Sequence, residues 1–157
     1  MTVHACVAHQ LYQSTPIRNE KRRGRSQVTL SGMCLTSIPS TVIENRQSVE
    51  KLVLDNNFLN ENAFNMPKFS KLRELSVRNN KIRNIGIFIS NVQRSCPNLE
   101  ILRIEDNPGW PRRAKEQERM LIVKTLRSLR VLDESDTHRQ KRHSGCSVDS
   151  KTSSGTE

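Results

Sequence analysis

The stretch Leu52-Val53-Leu54-Asp55-Asn56-Asn57 decides how this chain is read. Its leucines alternate, as in a short strand with one buried face. It closes on asparagines, which are poor strand formers and favour a bend. Working outward, the apolar-x-apolar pair recurs at Val28-x-Leu30, Leu75-x-Val77 and Leu102-x-Ile104. Three residues on stand Asn57, Asn80 and Asn107, with Met33 in that place in the first copy. The copies lie 24, 23 and 27 residues apart.

A repeat of this length with one asparagine per turn is the signature of leucine-rich repeats. The spacing predicts an α/β fold: a leucine-rich-repeat solenoid of about four repeats plus a C-terminal cap, with a short parallel sheet on the concave face. Strands are expected over 27–31, 51–55, 74–78 and 101–105. Leu30, Leu52, Leu54, Leu75, Val77, Leu102, Ile104 and Leu132 should point inward. The asparagines Asn57, Asn80 and Asn107 should form a structural ladder, because a buried amide can bond the backbone of its own bend and of a neighbouring one. A second apolar group (Leu35 and Ile38, Leu59, Ile82 and Ile85) turns inward after each bend. Such units are stable only as arrays, since none can bury its face alone.

The third return segment predicts a helix over Gly86 to Arg94, ended at Cys96-Pro97 because the residue before proline disfavours helical geometry. After the turn Pro108-Gly109-Trp110-Pro111, a cap is expected from about residue 111. It comprises a helix from Ala114 to Leu126, with Met120, Val123 and Leu126 on one face, and a last strand over Leu129 to Asp133. Residues 1–25 and 134–157 are polar, basic or Ser/Thr/Gly-rich and read as disordered tails, leaving 26–133 as the repeat domain.

Through Leu52 to Asn57, the 23-then-27 steps, and Cys96-Pro97-Asn98-Leu99 followed by Asn107, residues 28–142 resemble a known group. These are the short leucine-rich-repeat proteins with a carboxy-terminal cap, of the U2 A-prime, acidic nuclear phosphoprotein and axonemal dynein-associated type. The resemblance implies partner binding through the concave face or the rims, without catalysis.

Composition bounds the rest. The 157 residues are 34% hydrophobic and carry a net charge of +10 at a mean hydropathy of −0.66, which leaves one modest core and no room for a large enzyme fold. No apolar run approaches the roughly 20 residues of a membrane helix. Residues 1–16 lack the basic start of a secretory signal. The expected setting is intracellular, cytoplasmic with the nucleus open, and the four cysteines are expected to stay reduced.

The charge is uneven: +4 over 1–25 (five basic, one acidic), +2 over 26–110 (ten, eight), +4 over 111–133 (seven, three) and zero over 134–157 (four, four). The outward strand positions are therefore mixed: Lys51, Val53 and Asp55; Glu74, Ser76 and Arg78; Ile101, Arg103 and Glu105, with Gln27, Thr29 and Ser31 at the first strand. A balanced surface with two apolar residues suits a protein partner, of unknown identity, better than a phosphate track. Arg112, Arg113, Lys115 and Arg119 could contact phosphate, and Lys21-Arg22-Arg23-Gly24-Arg25 could be an import signal or an RNA contact. A ribonucleoprotein component touching RNA through these basic flanks is thus the alternative. With one Trp, one Tyr and four Phe there is no platform for stacking bases. Trp110 reads as a lid on the last repeat, with a partner anchor as the second reading. His4, Cys6 and His9, like His138, His143 and Cys146, lack the paired spacing of a zinc site, so neither metal nor cofactor is expected. No catalytic grouping is present, and the chain reads as a monomeric, non-catalytic adaptor.

Overall fold

The computed structural model describes residues 26–110 and 116–136. In chain order it contains β1 (Gln27–Thr29), α1 (Ser40–Glu44), β2 (Lys51–Val53), a 3-10 turn (Glu61–Phe64), β3 (Glu74–Ser76), α2 (Ile85–Ser95), β4 (Ile101–Arg103), α3 (Glu116–Thr125), β5 (Val131–Leu132) and β6 (Ser135–Asp136). The strands form one sheet in that order, β1 to β5 parallel and β6 antiparallel to β5. β6 lies beyond residue 133, where the sequence reading ends the folded part, because the chain doubles back on β5 through a tight turn. Both tails otherwise fall outside the described residues.

The register places Val28, Leu52, Leu75, Leu102 and Leu132 in one row. That row is buried, as are Leu30, Leu54, Val77 and Ile104 two residues on. The strands are three residues long rather than five, but two further backbone bonds continue each of the first three ladders. In the first, Leu30 N donates to Val53 O, Leu54 N to Ser76 O, and Val77 N to Arg103 O, each at 2.8 Å. In the second, Gly32 N donates to Asp55 O, Asn56 N to Arg78 O, and Asn79 N to Glu105 O, at 2.9–3.0 Å. What ends the strands is a left-handed residue one position before the ladder asparagine: Gly32 (φ 70°), Asn56 (57°), Asn79 (48°) and Asp106 (59°). Glycine, asparagine and aspartate are the residues that tolerate this conformation.

Each ladder asparagine is buried and works on two bends at once. The Asn80 amide donates to Val77 O (3.1 Å) and Arg78 O (3.1 Å) of its own bend and to Leu54 O (3.0 Å) of the preceding one. Its Oδ1 accepts from Leu59 N at 3.1 Å. Asn107 repeats the pattern on Ile104 O, Val77 O and Ile82 N. Asn57 repeats it on Leu54 O, Leu30 O and Leu35 N, and also accepts from Met33 N. Every asparagine therefore reaches backward. At position 33 Met33 has no side-chain amide to bond with and packs half-buried against the core.

The return segments carry the second layer. α2 starts at Asn84, whose Oδ1 accepts from Ile87 N at 3.0 Å, and stops at Cys96 as expected. Its buried face includes Phe88, which meets Phe64 of the 3-10 turn edge-on at 4.8 Å between ring centres. Burial pushes the Cys96 thiol up to about 12.

The cap helix buries Val123 and Leu126 as expected and departs from expectation at Met120. In α3 the buried residues are Ile122 and Val123, with Leu126 just beyond, while Met120 is only half-buried. Beside it the half-buried Arg119 turns its guanidinium inward to Leu132 O (3.0 Å) and the buried Asp133 carboxylate (3.6 Å). Asp133 also accepts from Ile104 N (2.8 Å) and Trp110 Nε1 (2.9 Å). Trp110, 2% exposed, is the lid the sequence suggests and offers no anchor to a partner. The loop that carries it needs Gly109, where a Cβ would stand 2.2 Å from the Arg83 carbonyl oxygen.

Candidate interaction face

The outward positions of β1 to β4 share one surface, and their side chains pair across the strands. At the start of the strands the Glu74 carboxylate is held between Lys51 Nζ, at 2.9 Å, and the Arg103 guanidinium. Burial opposes ionisation of Glu74, but hydrogen bonds from Lys51 and Arg103 outweigh it and hold the carboxyl below its ordinary value. At the far end of the strands Asp55 Oδ1 accepts from Ser76 Oγ (2.7 Å) and Arg78 N (2.9 Å). The Arg78 guanidinium reaches Glu105 (3.4 Å) and Glu134 (3.6 Å), while its buried Nε has no hydrogen-bond partner among the described residues.

Eight of the nine expected contact positions, Lys51, Val53, Asp55, Glu74, Arg78, Ile101, Arg103 and Glu105, are half-buried on this face. Ser76 is not available: it is 3% exposed, because its short side chain lies beneath the flanking pairs and its hydroxyl is taken by Asp55. Asn57, Asn80 and Asn107 lie behind the face, in the bends. Glu134 joins the face from the cap, a residue the sequence reading assigned to a tail. Only its position just after the buried Asp133 could have signalled it.

The other candidates separate from this surface. Arg119, which the sequence reads as a solvated helix-start charge that could contact phosphate, is spent on Leu132 O and Asp133 inside the cap. Arg112, Arg113, Lys115, the basic run 21–25 and both His/Cys groups lie outside the described residues. Among the described residues no three of His, Cys, Asp and Glu stand together to hold a metal, and no helix is long and apolar enough to cross a membrane.

No protein-family model matches the chain, and no curated protein matches it. Among solved structures it is similar to leiomodin-1 actin-binding site 2, with 17% sequence identity over 74% of this chain and 73% of that one and a TM-score of 0.48.

Proposed function

We propose that the chain is a leucine-rich-repeat solenoid of about four repeats with a carboxy-terminal cap, and that it is a non-catalytic adaptor. It works inside the cell as a monomer and docks a protein partner on the concave strand face. Within its group it looks most like the leucine-rich melanocyte differentiation-associated protein, through Leu52 to Asn57, the 23-then-27 steps and Cys96 to Leu99.

The observation that carries this reading is the lateral pairing on the strand face. Lys51, Arg78 and Arg103 balance Asp55, Glu74 and Glu105 within one layer of cross-strand pairs. Charges already ordered by their neighbours lose little freedom when a partner arrives. Val53 and Ile101 supply apolar contact between them.

Affinity purification from cell extract tests it. Val53→Glu with Arg103→Glu should abolish partner recovery while leaving the inward row untouched, and deletion of residues 1–25 should leave recovery intact. Tight, sequence-selective RNA binding with a steep salt dependence would favour the ribonucleoprotein alternative instead.

A further inference from the structure

The two rims of the sheet differ in charge. The turns that lead into the strands are stitched together by the backbone: Glu50 N donates to Ser26 O, Arg73 N to Glu50 O, Glu100 N to Arg73 O, and Arg130 N to Glu100 O, at 2.8–2.9 Å. A second line of bonds runs outside the first, from Ser70 Oγ to Gln47 (2.7 Å), Asn98 Nδ2 to Ser70 O (2.8 Å) and Ser128 Oγ to Pro97 O (3.2 Å). Residues 44–50, 66–73, 94–100 and 124–130 therefore form one continuous rim. It holds eight basic and three acidic residues, a net +5. On the opposite rim, outside the strand face, residues 31–39, 56–62, 79–84, 106–110 and 133 hold two basic and three acidic residues, a net −1.

Part of this asymmetry is structural. Arg94 and Lys124 lie in the last turns of α2 and α3, where cations offset the unpaired carbonyls of a helix end. Arg73 and Arg130 share the Glu100 carboxylate. Lys68, Lys71 and Arg127 have neither explanation: they are exposed, lie outside the helices and make no ion pair among the described residues.

We infer that this rim is a docking surface for an acidic polypeptide segment, separate from the strand face. Two features favour discrete carboxylates over a phosphate backbone. Glu50 and Glu100 alternate with Arg73 and Arg130 along the inner line, and Glu100 occupies both arginines, so the cations left over stand as separate points rather than as an unbroken track for a phosphate backbone. The rim's aromatic ring, Phe69, is fully buried, so no base could stack there. A field split between two rims also orients an incoming charged partner before contact.

The test uses the full chain and two labelled probes of about twenty units, oligoglutamate and single-stranded oligouridylate, titrated at low salt. Lys71→Glu with Arg127→Glu on this rim is compared with Lys81→Glu with Arg83→Glu on the opposite one, since both pairs change the net charge equally. The rim pair should weaken oligoglutamate binding at least about tenfold, and the opposite pair no more than about twofold. Equal losses from both pairs would mean that net charge alone binds the probe and would overturn the assignment. So would the absence of saturable binding. Oligouridylate binding tighter than oligoglutamate and lost with the same rim pair would make the rim a nucleic-acid surface and overturn it as well. Because none of these variants touches the strand face, the result is independent of partner recovery by Val53→Glu with Arg103→Glu.

Discussion

The middle of the sheet and its capped end solve the same problem with different chemistry. In the middle, Asn57, Asn80 and Asn107 each donate and accept, so one side chain joins two successive bends and hands the pattern on. At the end stands Asp133, a carboxylate that only accepts, fed by Ile104 N, Trp110 Nε1 and Arg119. An amide propagates the array because it has both kinds of group. A carboxylate closes it because it gathers donors and offers none.

The sharpest way to break this comparison is Asp133→Ala. It strands two buried donors and leaves the Arg119 guanidinium without its anion, and is expected to cost about 3–5 kcal/mol in urea unfolding. A loss no larger than a surface change would mean the cap is held by packing alone. Asn80→Ala, in mid-array, should cost about 1–3 kcal/mol by the same measurement. Met33→Ala should cost about 1 kcal/mol through lost contact only.

Smaller effects come from groups that titrate, which the amides do not. Glu74 has a lowered value in the folded chain, so its contribution is present at neutral pH and is lost as pH falls through that folded value, below about 4.3. Glu74→Gln should flatten that part of the acid limb. Cys96 has a raised value, so above about pH 8.5 the unfolded chain releases a proton that the folded chain keeps, and stability falls as pH rises. Cys96→Ala should remove that slope, and an unchanged alkaline limb would place the thiol in contact with water.

Much of this was legible because the inward leucines and the ladder asparagines recur at nearly fixed steps. Gly32, Asn56, Asn79 and Asp106 also recur, one place before the ladder position, but their work is backbone geometry and no apolar pattern marks it. Asp133 escaped because it breaks the asparagine pattern it completes. Arg119 read as surface charge, since nothing local shows that a carboxylate waits for it across the cap. The pairs Lys51–Glu74–Arg103 and Asp55–Ser76 depend on strand register, which brings together residues that are 21 to 29 positions apart.

The chain-order sheet also bears on how the molecule assembles in time. A strand never waits for a distant segment, because its partner lies one unit away, and closing so short a loop is entropically mild. Growth can spread in both directions from the place where Phe64 meets Phe88. The last layer to settle and the first to open should then be β1, whose bend has no amide of its own reaching backward. In native-state hydrogen exchange, protection should climb from Leu30 through Leu54 to Val77.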